Sequence, residues 1–260
     1  MEFAVQMACE SCADKVRTAL ESKPVKSVSI DVSKEEVLVE SALTSAEVQA
    51  LIESTGRRAV LKGMGVSKQM GSAVAMLAGI GKIQGVVRFL QLSERRCLID
   101  GTIDGLKPGT HGLHVHTLGD LTLDCLCGEH YNPFGRQHGG PGDSERQHVG
   151  DLGNIVAGLD GRASFRLEDS QIKQVWDVIG RSLVVDAGED DLGRGVHPLS
   201  KQTGNSGELA CGIIARSAGL FQNPKQICAC DGVTMWDERE RPIAGKGRSK
   251  ASTETPAAHL

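Results

Sequence analysis

The sequence His-Gly-Leu-His-Val-His at residues 111–116 opens a histidine-dense stretch that ends at Asp151 and holds six of the chain's eight histidines. The later residues of the stretch lie in Gly- and Pro-rich sequence and can converge only where a loop folds back on itself. Three imidazoles and one carboxylate make the closed tetrahedral site that zinc takes. A lone histidine is more simply a solvated or core side chain, but six at these spacings predict a metal site. The predicted zinc ligands are His130, His138, His148 and Asp151.

The composition is that of a globular chain without a membrane segment. Its 260 residues carry a formal net charge of −4 with mixed signs, which gives no reason to expect a nucleic acid or a membrane surface as partner. No apolar run approaches the about 20 residues of a membrane span, and the N-terminus lacks a signal-peptide pattern. We therefore expect a cytoplasmic protein. The last three residues, Ala258-His259-Leu260, loosely match a peroxisomal address, so a minor peroxisomal pool is the alternative.

Residues 1–65 alternate strand and helix patterns in the order βαββαβ, which predicts a ferredoxin-like domain. Thr44 and Glu47 form a capping-box pattern at the start of the second helix, and Gly56 ends that helix. The other predicted elements are strand Glu2–Met7, helix Ser11–Ser22, strands Val28–Val32 and Val37–Glu40, and strand Ala59–Leu61.

After a glycine-containing linker at residues 66–72, the pattern changes to short apolar strands separated by turn signals. This pattern, over residues 73–220, predicts an all-β sandwich or barrel. The predicted strands are Val74–Leu77, Gly85–Gln91, Cys97–Ile103, His111–His116, Ala163–Leu167, Arg181–Val185 and Ala210–Arg216. Residues 221–260 are polar and cannot bury a core, which predicts a largely irregular tail.

Eight cysteines in a cytosolic chain predict metal or redox chemistry rather than a disulfide framework. Cys9 and Cys12 lie between the first strand and the first helix, where the helix dipole favours thiolates. Two exposed thiolates suit Cu(I), and a redox pair or half of a zinc site are the alternatives. Cys228 and Cys230 are too close to form a relaxed disulfide. They could bind Cu(I), attack another protein's sulfur, or be incidental thiols.

Three parts of the chain resemble known families. Met-x-Cys-x-x-Cys at residues 7–12, opening a βαββαβ domain, resembles the heavy-metal-associated domain of copper chaperones and copper-pumping ATPases. The middle part resembles copper/zinc superoxide dismutase, an eight-stranded Greek-key β-barrel. Its matching stretches are residues 111–116, 130–133, 138–141, 148–154, 190–193 and 209–212. With the Cys-x-Cys tail, the whole chain resembles the family of copper chaperones for superoxide dismutase.

The resemblance implies that residues 1–65 bind copper, that residues 73–220 hold zinc through the four ligands already named, and that residues 221–260 transfer copper. The implied metals are therefore Cu(I) and Zn(II). It also implies a disulfide between Cys125 and Cys211, which would pin the metal-binding loop to a strand. Cys127 has no counterpart in the dismutase, so its role stays open.

The chain departs from the dismutase at the copper site. His114 and His116 match two copper ligands, and His130 matches the imidazole that bridges the two metals. However, Asp186 stands where the resemblance implies a fourth copper-ligand histidine. A carboxylate binds Cu(I) poorly. The dismutase has an arginine shortly before its Leu-Ala-Cys stretch, and that arginine attracts superoxide. This chain has no arginine at residues 207–209, and the negative charge of Glu208 would repel superoxide. Both departures predict a vestigial copper site at His114, His116 and Asp186.

The predicted function is a metallochaperone, not a dismutase. Cys9 and Cys12 would acquire Cu(I), and the barrel would pair with a superoxide dismutase subunit in a heterodimer. Cys228 and Cys230 would deliver the copper and drive formation of the enzyme's disulfide by thiol exchange. The resemblance also leaves a homodimer open. The alternative functions are an active dismutase with an added metal domain and a passive metal buffer.

Overall fold

The computed structural model describes residues 1–66, 70–79, 81–121, 125, 127–143, 147–204, 207–223 and 234–238. The predicted tail cysteines, Cys228 and Cys230, lie outside the described residues. Among the described residues, no helix is both long and apolar enough to cross a membrane.

The first domain has the predicted βαββαβ order. Its elements are β1 (Glu2–Val5), α1 (Glu10–Glu21), β2 (Val25–Asp31), β3 (Glu36–Ser41), α2 (Ser45–Glu53) and β4 (Ala59–Gly63). The strands form an antiparallel sheet in the order β2-β3-β1-β4, and the buried faces of α1 and α2 contribute Val16, Leu20, Val48 and Ile52 to its core. Thr44 and Glu47 make the predicted capping box, because the Thr44 side chain accepts from the Glu47 N–H and the Glu47 carboxylate accepts from the Thr44 N–H.

The second domain is an eight-stranded antiparallel barrel. Its strands are β5 (Ser72–Gly79), β6 (Gln84–Ser93), β7 (Arg96–Asp104), β8 (Gly109–His116), β9 (Asp151–Ala157), β10 (Ala163–Asp169), β11 (Ser182–Asp186) and β12 (Glu208–Arg216). They follow the order β10-β7-β6-β5-β12-β11-β8-β9, so β8 and β9 are neighbours although 34 residues separate them in sequence. The core contains Leu77, Phe89, Ile99, Leu113, Ile155, Leu183 and Ile214.

Strand β9 is absent from the sequence-based prediction, which placed Asp151 in a loop. Its opening residues, Asp151 to Asn154, include three types that are rare in strands. The strand exists because it pairs with β8, in a register that sets Gly112 opposite Asn154 and His114 opposite Asp151. The strand therefore depends on a long-range partner and not on local propensity.

Two short elements also escaped prediction. A single 3₁₀ turn spans Val175–Asp177, and a four-residue helix, α3 (Met235–Glu238), lies in the part of the tail that the structure describes.

The two domains are joined by a polar contact at the start of α2. Asp100, on β7, is buried, and its carboxylate accepts hydrogen bonds from the Ser45 N–H at 3.0 Å and from the Ser45 hydroxyl. A carboxylate at a helix N-terminus is stabilised by the unpaired N–H groups and the helix dipole. Arg166 on β10 adds a hydrogen bond to the Leu43 carbonyl. Met64 packs against Leu90 and Leu98 of the barrel.

We expect Asp100→Ala to loosen the metal-binding domain. The change leaves the Ser45 N–H without its acceptor, at a cost of about 1–3 kcal/mol. Hydrogen exchange at the Ser45 amide should therefore accelerate by about five- to 150-fold. Asp104→Ala, on the same strand but paired with Arg162 at the surface, is the control and should leave that amide unchanged. Equal exchange in the two variants would contradict the contact.

Candidate metal sites

The first site is the thiol pair at the start of α1. Cys9 is the N-cap residue in an extended conformation, and Cys12 lies one turn into the helix. Their Sγ atoms are 3.1 Å apart, close enough to share one metal ion. Cys9 is exposed, but Cys12 is buried among Ala13 and Val16. The expectation of two exposed thiols is therefore wrong for Cys12, because the helix turns its side chain towards the core.

The surroundings of the thiol pair favour negative charge. Hydrogen bonds from Ser11 and Cys12 lower the pKa of the Cys9 thiol to about 7, so a large share of Cys9 is thiolate at neutral pH. On the other side, Arg57 donates a hydrogen bond from Nη2 to the Cys12 sulfur at 3.1 Å. Arg57 is absent from the sequence-based prediction of this site. Its position after Gly56, at the end of α2, gave no local sign that it returns to Cys12.

The second site is formed by the predicted zinc ligands. The Nδ1 atoms of His130, His138 and His148 lie 2.8, 3.0 and 3.3 Å from Oδ1 of Asp151. Metal–ligand bonds of about 2.0–2.1 Å in a tetrahedral zinc site imply ligand separations of about 3.3 Å. In addition, the buried Nδ1 atoms of His138 and His148 lack a well-oriented hydrogen bond. These residues fit zinc, which would cross-link the loop between β8 and β9 when bound.

Hydrogen bonds behind the imidazoles fix their orientation. Nε2 of His138 lies 2.8 Å from Asp190, and Nε2 of His148 donates to the Arg136 carbonyl at 2.9 Å. Each contact places the proton on Nε2 and leaves Nδ1 free for a metal. The other oxygen of Asp151 accepts from the backbone N–H groups of Gly139 and His148. His138, His148 and Asp151 are therefore held in place for metal binding.

The ligand pKa values show how strongly these groups interact before metal binds. Burial lowers the pKa of His138, but hydrogen bonds with Asp151 and Asp190 outweigh it and raise the value to about 10. Burial and the nearby His114 lower the pKa of His130 to about 4. Burial also opposes ionisation of Asp151, yet its imidazole contacts hold its pKa well below the usual range. Below that pKa His138 carries a second proton, on the Nδ1 that faces Asp151, and zinc has to displace it.

Asp190 is a connecting residue that the sequence analysis did not assign. Its carboxylate oxygens lie 2.8 Å from Nε2 of His138 and 3.0 Å from Nε2 of His114. It therefore orients one predicted zinc ligand and one residue of the predicted copper site. The only signal in the sequence was the Asp-Asp-Leu-Gly stretch at residues 190–193 that matches the dismutase.

The third site is the predicted vestigial copper site. His114 and His116 lie on the same face of β8, and the carboxylate of Asp186 lies 3.2 Å from Nδ1 of His114. Gly112 leaves the space for that carboxylate, because a Cβ there would lie 2.5 Å from Asp186 Oδ2. Glu208 lies 3.5 Å from Nδ1 of His116. With two carboxylates among the histidines, the donors do not fit a copper ion that must cycle between oxidation states.

Three cysteines of the barrel cluster beside Val184 of β11, whereas Cys97 lies in the main core on β7. Cys125 and Cys211 form a disulfide, as the resemblance implies, and it ties the β8–β9 connection to β12. Cys127 is a buried free thiol that packs against Cys211 and Val184. Burial raises the pKa of the Cys127 thiol, so it is a weak nucleophile where it lies.

Comparisons with known proteins agree with this geometry. The family model for the heavy-metal-associated domain matches residues 2–58, and the model for copper/zinc superoxide dismutase matches residues 83–214. Over its full length the chain is 65% identical to the copper chaperone for superoxide dismutase of Homo sapiens, covering 95% of that protein. It shows the same identity and coverage with the Mus musculus and Rattus norvegicus proteins of that name.

The chain belongs to the family of copper chaperones for superoxide dismutase. The fold expected from the resemblance is confirmed: a heavy-metal-associated domain precedes a dismutase-like barrel. Family membership also supports copper as a metal that the chain binds. The ligand assignments rest on the geometry given above.

We expect Ser11→Ala to weaken the thiolate of Cys9. Loss of the Ser11 hydrogen bond should raise the pKa of Cys9 from about 7 towards its ordinary value. A smaller fraction of Cys9 is then thiolate at neutral pH. The rate of Cys9 alkylation by iodoacetamide at pH 7, followed by mass spectrometry, should fall about three- to tenfold. Ser22→Ala, at the opposite end of α1, should not change the rate. An unchanged rate in Ser11→Ala would contradict the contact.

We expect Asp190→Ala to weaken zinc binding without removing a ligand. Without Asp190, His138 loses the acceptor that holds its Nδ1 towards the site, and such losses cost about 10–100-fold in metal affinity. Competition with a chromophoric chelator measures the change. Asp160→Ala, at an exposed turn, is the control. Equal zinc affinity in both variants would show that Asp190 does not position His138.

Proposed function

We propose that this chain takes up Cu(I) at Cys9 and Cys12 and delivers it to copper/zinc superoxide dismutase. The observation that carries the proposal is the 3.1 Å separation of the two sulfur atoms at the edge of a heavy-metal-associated domain. Thiolates are the ligands that Cu(I) prefers. The exposed Cys9 is open to an incoming thiol, whereas the buried Cys12 is held by Arg57. Copper can then leave by exchange of one sulfur ligand at a time.

The barrel supplies a surface for the enzyme. Met76 on β5, Ile213 on β12 and Leu118 beyond β8 are large apolar side chains with exposed fractions of 53, 42 and 51%. Met76 and Ile213 lie close together because β5 and β12 are adjacent. Leu118 lies near Ile213 because Ser182 of β11 pairs with Ile213 and donates a hydrogen bond to the Leu118 carbonyl. We call these three residues the apolar patch. Exposed apolar side chains grouped in this way mark interaction surfaces.

The apolar patch lies on a dismutase-like fold, so a dismutase subunit can offer a similar surface in return. We propose a heterodimer through this patch, with a homodimer as the competing assembly. The shared fold makes the pairing possible, because two related barrels can present the same strands to each other.

The tail would complete the transfer. Arg58 donates a hydrogen bond to the Trp236 carbonyl, and its guanidinium lies 6.0 Å from the Trp236 ring centre. Trp236 follows Cys230 by six residues, and it contacts Arg58. The neighbour of Arg58, Arg57, contacts Cys12, so this part of the tail lies near the thiol pair. We propose that Cys228 and Cys230 receive copper from the thiol pair. After the copper has left, an external oxidant such as dioxygen would convert the two tail thiols to a disulfide. A disulfide between residues this close is strained, so it would readily accept two electrons from two thiols of the enzyme, which become joined while the tail pair returns to thiols.

The same residues argue against the alternative functions. Asp186 and Glu208 place two carboxylates where a dismutase needs copper ligands and a cationic guide for superoxide. Burial and, to a smaller extent, the negative charge of Asp186 raise the pKa of Glu208. A passive buffer would need no exposed apolar patch. We place the protein in the cytoplasm, where a reducing environment keeps copper as Cu(I) and the thiols free.

We expect the Cys228→Ser/Cys230→Ser variant to lose copper delivery. The Cu(I)-bound chain is mixed with reduced, zinc-bound, copper-free superoxide dismutase, and the dismutase activity is measured over time. The native chain should restore activity at least about tenfold faster than the variant, because serine oxygen is a poor ligand for Cu(I). Ser249→Ala/Ser252→Ala in the same tail is the control. Equal activation by the two variants would remove the tail from the mechanism.

We expect Ile213→Glu to weaken the heterodimer. The substitution buries a charge at the centre of the apolar patch, and each 1.4 kcal/mol of that cost is about tenfold in affinity. Analytical ultracentrifugation of the mixture with the dismutase subunit should show at least about a tenfold weaker complex. Val156→Glu is the matched control, since Val156 is 67% exposed on β9, three strands from β12. A complex as strong as the control's would place the interface elsewhere.

A further inference from the structure

The predicted vestigial copper site still groups several metal-binding side chains. It contains His114, His116 and Asp186, and the ring of His130 lies 4.0 Å from that of His114 and 4.9 Å from that of His116. We propose that these four residues bind a second zinc ion next to the first, with His130 losing its remaining ring proton to solvent so that each of its two nitrogens would bind one ion. The proposal does not depend on copper delivery.

The hydrogen bonds around the two histidines leave two nitrogen lone pairs facing the site. His114 donates from Nε2 to Asp190, and His116 donates from Nδ1 to the Gly128 carbonyl at 2.7 Å. The remaining nitrogens, Nδ1 of His114 and Nε2 of His116, are buried and have no hydrogen-bond partner. In metal sites, a histidine is oriented in the same way: one ring nitrogen binds the metal, and the other donates a hydrogen bond to a carboxylate or carbonyl.

Asp186 places a carboxylate beside one of these nitrogens. Its Oδ2 lies 3.2 Å from the unpartnered Nδ1 of His114. Two acceptors at this separation repel each other unless a proton or a cation lies between them. The separation also matches the about 3.3 Å between ligands of a tetrahedral zinc ion. The carboxylate that makes the site unsuitable for copper is therefore placed as a ligand for a harder ion.

The charge balance points to a divalent ion. Four carboxylates contact the buried histidines directly: Asp151, Asp186, Asp190 and Glu208. Of these, only Asp151 is a ligand of the first zinc site, so Asp186 and Glu208 stand beside His114 and His116 without a metal partner there. Burying uncompensated negative charge is costly, so a second cation stabilises the folded barrel.

The donor set selects zinc among the ions available. Three imidazoles and one aspartate are also the donors of the first zinc site, at Asp151. Cu(I) prefers the thiolates of Cys9 and Cys12, which are softer ligands than a carboxylate. Zinc in the second site would thus keep copper out of the barrel and on the thiols. The substitution at Asp186 then acts as a specificity device.

Zinc counting tests the proposal. The parent is the full chain with Cys9, Cys12, Cys228 and Cys230 changed to serine, so that these thiols do not bind zinc. Asp186→Asn keeps the volume of the side chain but removes its charge, and Asp104→Asn at the barrel surface is the matched control. After zinc saturation and gel filtration, we expect two zinc ions per chain in the parent and in the control, and one in Asp186→Asn. One zinc ion in the parent, or two in Asp186→Asn, would overturn the proposal.

Cobalt substitution gives a second reading that does not require the Asp186 variant to fold. Co²⁺ titrated into the same parent should produce two saturating steps in the visible spectrum, one for each site. His116→Ala, which spares every ligand of the first zinc site, should remove only one step. A single step in the parent would show that a proton, and not a metal ion, separates His114 from Asp186.

Discussion

The carboxylate of Asp151 is the constraint on which the barrel's functional half depends. Three imidazole nitrogens from different points of one long connection converge on one of its oxygens, and two backbone N–H groups donate to the other. A buried carboxylate is stable only when it is paired in this way. Because Asp151 is also the first residue of β9, the same contacts fix where that strand begins opposite β8.

The connection between β8 and β9 links Asp151 to the surface proposed to contact the enzyme. The connection held at Asp151 also carries Cys125, whose disulfide with Cys211 attaches it to β12. Leu118, in the same connection, completes the apolar patch with Ile213 of β12. The disulfide, and zinc when bound, would therefore stabilise one surface from two directions, since both restrain the segment between β8 and β9.

The chain separates its metals by ligand type. Nitrogen and oxygen ligands lie inside the barrel, where Asp186 and Glu208 make the environment hard and anionic. The sulfur ligands Cys9 and Cys12 lie outside it, in the first domain. Because Cu(I) binds sulfur much better than carboxylate, this separation would direct copper to the thiols without any moving part. Arg57 contributes to the same separation by stabilising negative charge on the sulfur of Cys12.

The sequence by itself determined the features that depend on local pattern. Period-two and helical patterns gave the βαββαβ domain and seven of the eight barrel strands, and the capping box at Thr44 needed only residues within one helical turn. The histidine spacing predicted a group of zinc ligands that the structure brings together around Asp151, because a cluster of one chemical type stands out without knowledge of its fold. Tertiary structure alone decided the rest. Strand β9, the contact of Arg57 with Cys12, and the link through Asp190 each join residues far apart in sequence, and no local propensity encodes such a pairing.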